Sequence, residues 1–272
     1  MKKYFCKLTV IVIFSGFMLS LFSCWKDITY RDAEYPDQII YMTTAYLNNG
    51  QRVIDDINRI RGTLPIEGNP YKYVLDMSRR EFRVPLAAYR AGVNNKGSFT
   101  VNVSANTAVI ATINEGRTDK YLLIPSDKYT LVSSVEMKDG EELAKFDLIV
   151  DLDLLRNNYP DEIFALGVEI SSAQMERNEN LCTTAVIIHT RIVKPTANFT
   201  SDFDANRRVS FRNSSLMAEK YEWNFGDGSA ISNEEAPSHV YSASGTYTVS
   251  LTAIGITGEE DKSVMSAVIV IE

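Results

Sequence analysis

The sequence predicts an all-β protein built as two antiparallel β-sandwiches in series. Three observations predict it. First, apolar residues recur with a period of two. Phe99, Val101 and Val103 alternate with Thr100 and Asn102, and Phe146, Leu148 and Val150 with Asp147 and Ile149; Phe164, Leu166, Val168 and Ile170 repeat the pattern. Such runs place one set of side chains on one sheet face and the rest on the other. Second, turn signals separate the runs: Asn94-Asn95-Lys96-Gly97, Asn114-Glu115-Gly116 and Lys138-Asp139-Gly140. Third, helical spacing is confined to short segments, Val53–Arg61 through Val53, Ile54, Ile57 and Ile60, and a turn at Leu152, Leu154 and Leu155. Many short strands without intervening helices argue for sandwiches.

Composition agrees. The chain has 272 residues, 45% hydrophobic and 23% charged, which excludes disorder as its main state. The length suits about two domains. The net charge is −7. A chain this acidic is a poor candidate for binding nucleic acid or anionic lipid, both of which call for a basic face.

Residues 1–23 read as a signal peptide. Lys2, Lys3 and Lys7 form a positive start, and Leu8 to Phe22 is mostly apolar. As a helix that run spans about 22 Å, short of the roughly 30 Å hydrocarbon core, so secretion fits better than a spanning helix. It ends Leu21-Phe22-Ser23-Cys24, which resembles the bacterial lipobox, with Phe22 bulkier than the usual residue there. The resemblance implies cleavage before Cys24 and lipidation of it, an anchor in the outer membrane, and a protein facing the cell exterior. Trp25-Lys26-Asp27 looks like the surface-export signals of Bacteroidetes lipoproteins. Residues 24–35 form the tether. Cys6 leaves with the leader and Cys24 carries lipid, so Cys182 has no partner for an internal disulfide. It lies in a β-prone run and reads as a buried strand cysteine.

A boundary falls at Lys194-Pro195, because proline interrupts strand pairing. After it, residues 196–272 carry three blocks in order: Trp223-Asn224-Phe225-Gly226-Asp227-Gly228, His239-Val240-Tyr241, and Gly245-Thr246-Tyr247-Thr248-Val249-Ser250-Leu251. This segment resembles the polycystic-kidney-disease (PKD) domain. The resemblance implies an immunoglobulin-like β-sandwich that serves as a spacer or as a protein- or carbohydrate-contacting module. Alternation places Trp223 with Tyr221 and Phe225 on a core face rather than against a sugar. His239 stands alone and reads as a packed, hydrogen-bonded residue; Asp227 forms a turn, since calcium takes six to eight oxygens.

Residues 36–194 contain strands at Tyr35–Met42, Glu81–Gly92, Ile124–Leu131, Glu141–Val150 and Glu162–Ile170. With Pro125, Tyr129-Thr130-Leu131 and the Asp139-Gly140 turn, this order resembles the N-terminal domain of unknown function of many Bacteroidetes surface lipoproteins. The resemblance implies a second, non-catalytic immunoglobulin-like sandwich, found beside glycan-utilisation machinery. Tyr71 and Tyr73, in Asn69-Pro70-Tyr71-Lys72-Tyr73, are candidate glycan-contacting residues, because loop aromatics can grip the apolar face of a sugar.

No catalytic motif, phosphate loop or metal-ligand spacing is present, and neither a metal nor another cofactor is expected. The two histidines lie in probable strands of different domains. Asp151 and Asp153 read as carboxylates near a turn rather than a glycosidase pair. The expected function is a non-catalytic cell-surface lipoprotein that binds or presents extracellular glycan, with outer-membrane proteins as further candidate partners. The alternative is an adhesin or structural spacer that contacts protein partners and no sugar.

Overall fold

The computed structural model describes residues 38–47, 51–54, 72–92, 94–204 and 206–272. Cys24, Tyr71 and the leader lie outside the described residues. Residues 36–272 form one compact unit. Among the described residues strand makes up 52% and helix 10%, so the all-β class holds.

The N-terminal sandwich stacks two sheets. One has the order β11 (Glu176–Arg177), β1 (Ile39–Met42), β4 (Glu81–Ala91), β9 (Leu143–Asp151) and β7 (Tyr129–Leu131), with β3 (Val74–Asp76) also paired to β4. The other has the order β2 (Gln51–Ile54), β12 (Thr183–His189), β10 (Ile163–Ser171), β5 (Phe99–Ala105) and β8 (Ser134–Met137), with β6 (Leu122–Leu123) paired to β10. Most pairs are antiparallel; β1–β11, β10–β6 and β12–β2 are parallel. The alternating runs face inward as the pattern demands. Phe82, Val84 and Leu86 on β4 and Leu148 and Val150 on β9 meet Val101, Leu166, Val168 and Val186 of the other sheet in one core.

Two departures are instructive. Val53 and Ile54, expected to open a helix, lie in β2 and pair with Ile187 and Ile188. Pairing along a buried strand overrides the weak helical spacing of β-branched residues. Conversely, α2 (Thr107–Asn114) is a helix that strand alternation did not announce. The Asn106 side chain caps it by accepting from the Val109 N–H at 3.3 Å. Its Ile110 packs on Ala165, Ala185 and Ile187, on the outer face of β10 and β12. Those strands are therefore buried on both faces, which explains their nearly continuous apolar sequence. Gly167 permits the approach: a Cβ there would sit 2.1 Å from the Asn106 carbonyl oxygen and 2.3 Å from Val109 Cγ1.

The C-terminal sandwich pairs a sheet of β13 (Phe199–Phe203), β14 (Arg208–Asn213) and β16 (Ser238–Val240) with one of β15 (Lys220–Asn224), β17 (Gly245–Gly255) and β18 (Gly258–Ile271). Trp223 is fully buried against Phe199 and Phe211, with ring centroids 5.0 and 5.2 Å away, and its indole N–H donates to the Glu234 carbonyl at 3.0 Å. Gly226 turns at φ +79°, where a Cβ would meet the Thr248 carbonyl oxygen at 2.4 Å.

The two sandwiches are joined at a packed seam. The turn between β17 and β18 carries Ile256 into the N-terminal core, and Thr257 Oγ1 donates to the Val193 carbonyl at 3.0 Å. Beside it, α3 (Leu152–Asn157) presents Arg156, which pairs with Asp261 at 2.7 Å and Glu260 at 2.8 Å. Arg80 also reaches Glu260 at 3.2 Å.

Candidate functional site

The sequence candidates separate. Tyr73 is fully buried, and its ring stacks on Phe82 with centroids 4.9 Å apart and planes 18° apart. It presents no face to a sugar, which corrects the expectation for that residue. The reason is alternation running into β3: Tyr73, Leu75 and Met77 turn toward the core while Val74 turns out.

Asp151 and Asp153 are both committed to structure. One Asp151 oxygen caps α3 by accepting from the Asp153 N–H at 2.9 Å, and the other accepts from Lys128 Nζ at 2.9 Å. Asp153 receives both a 2.8 Å bond from Arg80 Nε and a closer one from Nη2, and this bonding holds its carboxyl below the usual range. A general acid needs the opposite shift.

The C-terminal motif forms a clamp. Burial alone would raise the Asp227 carboxyl, but hydrogen bonds from Ser229 and His239 outweigh it and hold it at about 2. His239 Nε2 lies 2.7 Å from Asp227 Oδ2, and the imidazole stacks on Phe225 at 4.1 Å. The pair ties the Gly226–Gly228 turn to β16. Tyr241 completes it by donating to the Phe225 carbonyl at 3.0 Å. Among the described residues no group of three or more His, Cys, Asp or Glu side chains could hold a metal ion. Cys182 is buried, its thiol 3.4 Å from the Glu179 carbonyl.

Two features escaped sequence reasoning. Arg90 on β4 is 1% exposed. Its guanidinium donates to the carbonyls of Lys96 (3.1 Å), Gly97 (3.0 Å) and Lys138 (2.9 Å), and lies 4.9 Å over the Phe99 ring. Burial pulls its pKa down, opposed by Asp139 and Glu141. Arg90 thus fixes the two loops at one end of the N-terminal sandwich. Beside them lies an open cavity of about 600 Å³, lined by Glu136, Lys138, Glu141, Glu142 and Lys145. The second feature is Phe203, 58% exposed, beside an open cavity of about 420 Å³ at the end of the C-terminal sandwich. Other described aromatics are buried or half-buried.

Among the described residues no helix is long and apolar enough to cross a membrane. Comparison with known proteins gives matches to both halves. Residues 192–270 match the PKD domain family. Residues 41–177 match a family model described as an N-terminal domain. Collagenase ColA of Bacillus cereus is 42% identical over 62 residues, 21% of this chain, and the match spans 6% of the collagenase's own length. The PKD1 domain of Vibrio anguillarum Epp is 35% identical, covering 29% of this chain and 94% of that one, at a TM-score of 0.27. A two-domain protein of unknown function from Bacteroides fragilis is 10% identical, covering 85% and 94%, at a TM-score of 0.40. The N-terminal match spans half of the chain, and the chain belongs to that N-terminal-domain family, with a PKD domain following it at residues 192–270.

Proposed function

We propose that this protein is a non-catalytic cell-surface lipoprotein that binds or presents extracellular glycan, anchored in the outer membrane through Cys24. The observation that carries the reading is the pairing of the two family matches, an N-terminal domain over residues 41–177 and a PKD domain over 192–270, within one compact unit. The N-terminal half resembles domains found beside glycan-utilisation machinery, and PKD domains include carbohydrate-contacting modules. The committed roles of Asp151 and Asp153 support a binding function over hydrolysis. Two open cavities of the N-terminal sandwich are rimmed by charges of both signs, which suits neutral polar ligands over strongly charged ones.

One observation favours the alternative of a protein-contacting adhesin or spacer. Val264, Val268 and Val270 project from one face of β18, each more than half exposed, and β18 pairs with β17 alone among the described strands. A glycan array probed with the full chain in mild detergent separates the two. Binding to a glycan class, with the protein folded, supports the proposal. A silent array with folded protein overturns it and leaves the β18 face as the functional surface.

A further inference from the structure

The geometry points to a carbohydrate subsite at the far end of the C-terminal sandwich, with Phe203 as its stacking platform; the inference rests on the glycan-binding reading. In β13, Phe203 lies opposite Val209, and Ser201 opposite Phe211. Val209 and Phe211 are buried, so Phe203 belongs to the core-side face by register. Yet Phe203 is 58% exposed, because it stands at the mouth of the sandwich, beyond the end of the packed core. The adjoining cavity of about 420 Å³ draws on both sheets: Phe203, Asp204, Asn206 and Arg207 from the β13–β14 hairpin, and Val270 and Ile271 of β18 with Glu272 after it. That volume falls in the range of small-ligand sites, about 300–1,000 Å³.

The lining suits a pyranose. An exposed aromatic face takes up the C–H side of a sugar ring, and the hydroxyls around the ring need both donors and acceptors. Asp204 accepts, Asn206 does both, and Arg207 donates. Arg207 is already held in place: its Nη1 donates to the Ser242 carbonyl at 2.8 Å, and its own carbonyl accepts from the Tyr241 N–H at 3.0 Å. A guanidinium carries five N–H donors, so this anchoring leaves others to meet a ligand. With the Asp204 and Glu272 carboxylates set against the Arg207 guanidinium, the lining is net acidic, so the rim selects neutral sugars over uronates.

The test is affinity electrophoresis of the full chain through gels carrying xyloglucan, galactomannan, arabinoxylan or polygalacturonate, followed by titration with oligosaccharides of whichever polymer retards it. Phe203→Ala and Phe203→Leu are expected to weaken binding about tenfold with melting unchanged, while Phe203→Trp retains it. The leucine variant keeps apolar bulk and removes only the aromatic face, so a purely structural role would not reproduce this pattern. Retardation that survives in all three variants, or that is strongest with polygalacturonate, overturns the subsite and leaves the glycan-binding reading standing. No retardation by any polymer overturns both.

Discussion

The two sandwiches reach a buried core by different means. The C-terminal one is small and fills its interior with large rings: Phe199, Phe211, Trp223, Phe225 and Tyr241 are all buried in one cluster. The N-terminal one is larger and mainly aliphatic, and it covers part of its second sheet with α2. A small domain buries a lower fraction of its surface, so each core residue must contribute more. The smaller sandwich also gains support at the seam by lending Ile256 to its neighbour's core. The comparison teaches that stability is concentrated in a few residues in one half and distributed over many in the other.

That contrast can be broken by substitution. The largest expected effect is Trp223→Ala, at about 4 kcal/mol in urea unfolding. Single aliphatic truncations such as Val168→Ala in the N-terminal core are expected to cost about 2 kcal/mol. Equal losses would contradict the contrast. Next is Arg156→Ala, expected to cost about 3 kcal/mol because Asp261, whose side chain is 6% exposed, loses its close partner. Its signature is a single melting transition splitting into two; a transition that stays single would show that Ile256, Thr257 and Arg80 suffice to couple the halves.

Gly167→Ala follows, at about 2 kcal/mol, through displacement of α2 from β10. Circular dichroism should show lost helix with the sheets intact. The smallest effect is on pH. The folded Asp227 carboxyl lies at about 2, below its ordinary 3.8. The stability it contributes is complete above about pH 4 and is lost as pH falls toward 2, amounting to at most about 2 kcal/mol. Asp227→Asn should flatten that limb of the stability curve; an unchanged limb would assign the acid sensitivity elsewhere.

Much of the C-terminal half was legible in the sequence because its signals are local. Gly226 and Gly228 mark a turn, and Tyr221, Trp223 and Phe225 alternate on one strand. The inward runs of β5, β9 and β10 were legible for the same reason. Helix α2 was not, since Val109, Ile110 and Ile113 are β-branched and only the Asn106 cap marks a helix start. Arg90 reads as a surface charge until Lys96, Gly97 and Lys138 are seen to converge on it. Ile256 sits between Gly255 and Gly258 and reads as an ordinary turn; docking into a distant core has no local signature. Of the candidate site, Tyr73 was misplaced because the Asn69-Pro70 dipeptide reads as a loop signal, while the alternation that carries Tyr73 inward begins only at Tyr73 itself. Phe203 alternates with Phe199 like a core residue, and only the ends of the two sheets reveal that it overhangs.

The central claim is that the folded chain binds a glycan, and thermal melting of the full chain across a panel of neutral and acidic polysaccharide fragments tests it most directly. A ligand present at about 100 times its Kd stabilises the native state by about 2.7 kcal/mol, which raises the melting temperature by several degrees. Such a shift is expected with at least one neutral fragment, and a tenfold weaker Kd in Phe203→Ala should cut it to about half. Unshifted melting with every fragment, in a protein that still melts cooperatively, would contradict it and turn attention to protein partners of the β18 face.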